Sequence, residues 1–465
     1  MTLLEEFFKA TNPNKTLVYA SEQDRQYYID FSEVRGGRAI EKLKRNIVSQ
    51  PDLPTCRLFT GHIGCGKSTE LHRLEAELGK ENFYTIYFSA SQGLESLEDV
   101  EIGDVLLTIA QIVSKNLEEA KDIKISLQPK GLRDFLEKTA KLLLTEIELN
   151  EIGWTLPGGT TSGNANRSGD FSISAGIFKL TGKAKVDRSF RDKLKAYAGA
   201  HRTEIVRGIN QEILNPAVEQ LKRNPNNKAG LAIIIDGLDL LKNPPTQQAQ
   251  LFLSEELRQL ECHVIYTIPL GLIFSNKGNE LAQRYGADAT VLPMVPVKSR
   301  NGDKYSKGMQ LMYRLALARA FPIEEKACES KVLIEQLFDC EESLIQLCQV
   351  SGGHIRKFLQ LLNEWINEDW NLPLSREGLN RVVQHNTNSL LRPIDDNEWS
   401  LLLNVYQSKK PGQGDDEKMR EYQALIHDMF IYEYYGEDRR SWFDVNPLII
   451  ESEEFLEKLG KLKEL

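Results

Sequence analysis

The sequence predicts an α/β fold: a parallel sheet wound with helices, followed by a helical unit and a small unit of two helices and a hairpin. Three observations predict it. Residues 61–68 read Gly-His-Ile-Gly-Cys-Gly-Lys-Ser, set between the apolar stretch Leu58-Phe59-Thr60 and a run with apolar residues at helical spacing. Leu231-Ala232-Ile233-Ile234-Ile235 is an unbroken apolar run that ends on Asp236, as suits a central strand covered on both faces. Strand-like and helix-like segments alternate around these two, the pattern of a doubly wound parallel sheet.

The elements follow in order. Leu58–Thr60 is the first strand, and the eight residues after it match the G-x-x-x-x-G-K-[ST] phosphate-binding loop. Gly61, Gly64 and Gly66 let the backbone curl so that successive N–H groups face phosphate oxygens. The helix that starts there adds the positive end of its dipole. Lys67 is placed to reach the β- and γ-phosphates of ATP from a solvent-open loop, and Ser68 to put its hydroxyl on Mg²⁺. Cys65 and Thr69 belong to the same nucleotide-contacting stretch. Phe83–Phe88 reads as a second strand and Val100–Leu117 as an amphipathic helix.

An insertion of about 120–210 then separates the loop from the Asp236 strand. Its centre, 156–166, is rich in Gly, Ser, Thr and Asn and reads as a loop. Residues 171–180 alternate like a strand or hairpin arm. Lys183, Lys185, Arg188, Arg191, Lys193, Lys195 and Arg202 follow, interleaved with Asp187, Asp192 and Glu204. They read as a solvated helix face before a contact surface, with Arg202 and Arg207 as candidate arginine fingers.

Asp236, at the carboxyl end of a central strand, sits where α/β sheets bind ligands and is the expected Mg²⁺-holding acid. Many ATPases place a Glu directly after it; here Gly237 stands there, and Asp239 is the next acid. Strands at Val264–Ile268 and Thr290–Met294 complete a five-strand set.

These residues carry a resemblance. Four apolar residues then Asp-Gly-Leu-Asp, 236–239, resemble the STAND class of P-loop ATPases, which includes NACHT and plant resistance-protein types and is close to AAA+ proteins. Phe31 to Arg38 resembles the box that packs on adenine, which makes Val34 and Arg35 nucleotide-contacting residues. His263 to Pro269 resembles the sensor 1 strand, with Thr267 as its polar tip. Ser351-Gly352-Gly353-His354-Ile355-Arg356 resembles the start of a helical lid, with Arg356 reading the γ-phosphate and His354 as its alternate. The chain departs from the pattern at Leu240, where a Glu is usual, and at Ile355, where a Pro is usual.

The resemblance implies a parallel P-loop sheet of the ASCE type, a helical lid and a C-terminal winged-helix-like domain. The expected division is 1–24, 25–300, 301–392 and 393–465. It also implies an ATP- and Mg²⁺-dependent switch that hydrolyses slowly, with Asp239 orienting water, and that controls assembly with itself or a partner protein in defence or signalling. The alternative is a nucleic-acid-handling AAA+ ATPase. Residues 393–465 hold nine Lys and Arg against seventeen Asp and Glu, nearly all of the chain's net charge of −9. That balance disfavours duplex binding there. The hairpin aromatics Tyr432, Tyr434, Tyr435, Trp442 and Phe443 read as packing before a partner surface. No apolar run reaches the roughly 18 residues of a membrane span, and an acidic N-terminus with six unpaired-looking cysteines suits a cytoplasmic protein.

Overall fold

Strand β3, Leu231–Asp236, is buried along its whole length in the computed structural model, and the rest of the chain is arranged around it. The structure describes residues 2–94, 96–120, 187–223, 228–322, 331–412, 416–436 and 440–463, with single positions 127, 139, 177, 180 and 184. Four more parallel strands join β3: β1 (Cys56–Gly61), β2 (Tyr84–Ser89), β4 (His263–Thr267) and β5 (Thr290–Leu292). Their order is β2-β3-β4-β1-β5. The acid-bearing strand is thus separated from the loop-bearing strand by β4, the ASCE-type arrangement. Ser89 pairs with Asp236 and Phe59 with Thr267, so the carboxyl ends of β1 to β4 open on one rim.

The period-two alternation of the strands feeds two cores. Ile86, Phe88, Ile233, Ile235 and Val264 pack against the helices Ile102–Glu119, Arg188–Ala200 and Asn215–Arg223. Phe59, Ala232, Ile234 and Ile265 pack against Leu71, Leu74 and Leu78 of the loop's helix, Lys67–Lys80, and against Ile40, Leu43 and Ile47 of Ala39–Val48.

A third core gathers the helices Ser306–Ala320, Glu341–Ser351, Ile355–Asp369 and Arg376–Leu391. The first helix, Leu3–Ala10, docks here through Phe7, and Asn363 Nδ2 donates to the Phe8 carbonyl at 2.8 Å. The C-terminal helices Asp396–Ser408 and Asp416–His427 precede the antiparallel hairpin of β6 (Ile431–Tyr435) and β7 (Ser441–Val445). An Asp395–Glu398 capping box starts the first of them. Tyr432, Tyr434 and Trp442 turn inward and join the core on the loop's side of the sheet, with Tyr434 and Trp442 stacked at 4.5 Å.

One expectation for the insertion changes. Of the hairpin arm expected at 171–180, only Ile177 and Leu180 lie among the described residues; both are helical and buried in the first core. The Gly-rich centre, 156–166, lies outside the described residues. The basic run forms the helix Arg188–Ala200, which buries Phe190, Leu194 and Ala198. Lys195 pairs with Asp99 at 3.1 Å, and Arg202 pairs with Glu256 at 2.7 Å.

Candidate functional site

The strand–loop–helix of 56–80 opens onto the rim beside Asp236 and Asp239. Gly66 is the N-cap of the helix at φ +103°, a left-handed geometry that a side chain would strain, and no side chain caps the helix there. Its first N–H groups therefore stay available to an anion.

A cavity of about 160 Å³ lies over this helix end. Gly64, Gly66, Lys67, Ser68 and Thr69 form one wall, and Asp236, Gly237 and Asp239 another. Ile355, Arg356 and Leu359 of the lid helix line a third side. Pro13, Lys15 and Thr16 complete it from the N-terminal segment, which no motif had marked.

Lys67 is buried, not solvent-open as the sequence suggested. Its ammonium lies 2.9 Å from Asp239 Oδ2 and donates to the Gly61 and His62 carbonyls, each at 2.8 Å. Burial pulls its pKa down, but Asp239 and then Asp236 outweigh burial, so the net direction is up. Asp239 is therefore the direct partner of Lys67.

Asp236 Oδ2 accepts from the Tyr87 hydroxyl at 2.7 Å, and Oδ1 accepts from the Gly237 N–H at 2.8 Å. The phenol thus holds Asp236, one of the two expected metal-holding residues. Burial and then the Asp236 charge push the Tyr87 pKa up, which keeps it a donor. Tyr87 lies two residues before the end of the second strand, paired with Ile234 of β3; its sequence signal was its place near the strand's carboxyl end.

Thr267 does not line the cavity. It is buried, and its hydroxyl accepts from the Leu238 N–H at 3.1 Å, fixing the turn that carries Asp239. Val34 and Arg35 also lie off the cavity. Val34 packs in the third core, and Arg35 Nη2 donates to the Cys65 carbonyl at 2.9 Å from behind the loop. Burial pulls the Arg35 pKa down. Cys65 is buried, with its thiol against the Leu292 carbonyl.

The lid meets the loop through backbone and one histidine. Arg356 N–H donates to the Gly64 carbonyl at 3.2 Å, while its side chain is exposed. His354 Nδ1 accepts from the Lys357 N–H at 2.8 Å, so Nε2 carries the proton and donates to the Ile63 carbonyl at 2.7 Å. Burial lowers the His354 pKa to about 4. On the loop's other flank, His62 Nε2 accepts from the Glu433 N–H of the hairpin at 2.8 Å. Burial, then His354 and Lys67, hold His62 neutral. The Glu433 carboxyl is buried, leaves Oε2 without a partner among the described residues, and has its pKa raised by burial to about 8.

The donor set fits a nucleotide phosphate: an uncapped helix start, positive-φ glycines and a lysine. It also fits Mg²⁺, which is usually held by one or two carboxylates plus substrate phosphates. Among the described residues no group of three or more His, Cys, Asp or Glu is arranged to hold a metal by itself.

No protein-family model matches the chain, and no curated protein sequence does. Among solved structures, Cdc6p of Pyrobaculum aerophilum aligns at 10% identity over 98% of each chain, with a TM-score of 0.37. A Walker-type ATPase of Pyrococcus abyssi aligns at 11% identity, covering 88% of this chain and 93% of its own, with a TM-score of 0.40. The ORC2 protein of Aeropyrum pernix, in ADPNP and ADP complexes, aligns at 11% identity over 91% and 93%, with a TM-score of 0.32. Scores this low carry no argument about activity. The strand order and the loop are the chain's own, and they make it an α/β protein with a P-loop ATPase fold and a helical unit behind it.

Proposed function

We propose that the protein is a slowly hydrolysing, ATP-binding switch whose lid position is coupled to nucleotide occupancy. The observation that carries this reading is the small size of the cavity, with the lid helix in its wall. At about 160 Å³ it falls below the roughly 300–1,000 Å³ of small-molecule sites, and Ile355, Arg356 and Leu359 of the lid helix line it beside the loop. A whole ATP enters only if Ile355, Arg356 and Leu359 withdraw, so binding and lid movement are one event.

In this reading Lys67 exchanges Asp239 for phosphate oxygens, and Ser68 and Asp236 would hold Mg²⁺, which when bound neutralises charge on the phosphates. Tyr87 holds the Asp236 carboxylate in place. Asp239, released from Lys67, orients the attacking water. The lid and the hairpin both rest on the loop, His354 on Ile63 and Glu433 on His62, so a change at the loop reaches both units. Control of self-assembly or of a partner protein follows from that coupling.

Light scattering during size exclusion, with ADP and with a slow ATP analogue, tests the switch. A nucleotide-dependent change in mass or radius is expected. Identical profiles in both nucleotides, with binding shown by calorimetry, would remove the switch and leave a nucleotide-binding protein.

A further inference from the structure

A cavity of about 960 Å³ lies apart from the P-loop site. It lies between the segment 32–45, the turn 296–307 and the β6–β7 hairpin. We propose that this groove binds the phosphodiester backbone of a single-stranded nucleic acid.

Charge is the first argument. The helix Ala39–Val48 buries Ile40, Leu43 and Ile47 and turns Lys42 and Arg45 outward, with Arg38 at its start on the same face. Lys298 and Arg300 come from the turn across the groove, Lys307 from the start of the next helix and Arg440 from the residue before β7. Glu33 and Glu41 are the acids of the lining, Lys307 pairs with Glu33 at 3.6 Å and Lys298 with Asp444 behind the groove at 2.7 Å, so the lining is basic although the whole chain carries a net charge of −9.

Pairing is the second. Lys44, on the same helix but facing away, is paired with Glu77 at 3.1 Å and Glu81 at 2.8 Å. Among the described residues no carboxylate lies within 4.0 Å of the charged nitrogens of Arg38, Lys42, Arg45 or Arg300. Like charges gathered without partners repel one another, and an anionic ligand relieves that repulsion.

Shape and lining choose the anion. The site is concave, which suits a strand better than a duplex. The half-buried rings of Tyr305 and Tyr435 line it beside the cations, the combination of a basic track and stacking surfaces that single strands use. Ser299, Asn301 and Ser441 add neutral groups for phosphate oxygens. An acidic protein segment would satisfy the charge but leave the rings unused.

Fluorescence anisotropy of the full chain with labelled 20-nucleotide single strands, DNA and RNA, at 50 and 200 mM salt tests this. A matched duplex and polyglutamate serve as competitors. Four unpaired cations engaging phosphates give an affinity loss of about 50-fold across that salt change. The pair Lys42→Glu and Arg45→Glu, both exposed, should weaken binding at least about 10-fold and flatten the salt slope while calorimetric ATP binding is kept. Lys67→Ala should lose ATP binding and keep the strand, which separates this site from the proposed switch. Binding of either sugar chemistry supports the groove. The proposal is overturned by absence of binding at 50 mM salt, by equal competition from polyglutamate, by tighter binding of the duplex, by a charge-reversed pair that binds like wild type, or by loss of the strand in Lys67→Ala.

Discussion

Lys67 Nζ lies 2.9 Å from Asp239 Oδ2, with both side chains 5% exposed. The pair closes over the helix end where a phosphate would sit, so the chain supplies its own anion to the loop. Nucleotide binding has to displace a buried ion pair, and the affinity of the site is set against that pair.

Asp239→Asn should therefore bind ATP more tightly, by about 10-fold, and hydrolyse it more slowly, because the competing anion and the proposed water-orienting carboxylate leave together. Lys67→Ala should lose tight ATP binding and also lose about 3–5 kcal/mol of stability, since it strands a buried carboxylate. The double variant Lys67→Ala, Asp239→Asn should regain most of that stability while still failing to bind. Calorimetry and chemical denaturation of the three proteins check this. Wild-type ATP affinity in Asp239→Asn would mean that the pair does not compete.

Basal turnover should be on the order of a few per minute, far below the common enzyme median of about 10 per second. Gly237 occupies the place of the usual base at φ +81°, and a Cβ there would lie 3.0 Å from Ser89 Oγ. Installing the base by Gly237→Glu should thus fail to speed hydrolysis, because the backbone that aims Asp236 is left-handed there. Tyr87→Phe should raise the Mg²⁺ concentration needed for half-maximal turnover several-fold, as the Asp236 carboxylate loses its 2.7 Å donor. A Mg²⁺ titration that matches wild type would remove Tyr87 from this role.

The lid should depend more on His354 than on Arg356. The Arg356 contact to Gly64 is made by the backbone and survives Arg356→Ala, whereas His354→Ala removes both the bond to Ile63 and the cap of its helix. Loss of the cap and of that buried bond should each amount to about 1 kcal/mol. Limited proteolysis without nucleotide should cut His354→Ala faster than Arg356→Ala. The reverse ranking would place the contact in the Arg356 side chain.

Glu433 makes stability depend on pH. Burial raises its folded pKa to about 8 from an ordinary 4.5, so between these values the folded chain holds a proton that the unfolded chain has released. This contribution is fully present below about pH 4.5 and is lost as pH rises through about 8. Glu433→Gln should abolish it, so that wild type loses about 2–4 kcal/mol more than the variant between pH 5 and 8.5. Denaturation curves across that range provide the check, and parallel pH profiles would show that the carboxyl is solvated.

The sequence by itself determined the sheet and the loop. Glycine spacing at 61–66 and the apolar run into Asp236 are local demands: one needs backbone N–H groups turned inward, the other a strand buried on both faces, and each forces its residue types wherever it occurs. The hairpin at 431–445 was legible for the same reason, through aromatic and β-branched residues on two short runs about a turn. What touches the loop was decided only by the tertiary structure. Asp239 could be picked out as an acid near Asp236, but its ion pair with Lys67 follows from the turn that Thr267 fixes from another strand. Tyr87, Lys15 and Glu433 come from segments far apart in the chain, and no periodicity couples them. The basic groove is hidden for the same reason: its cations are spread over three segments of a chain that is acidic overall, and only folding sums them onto one surface.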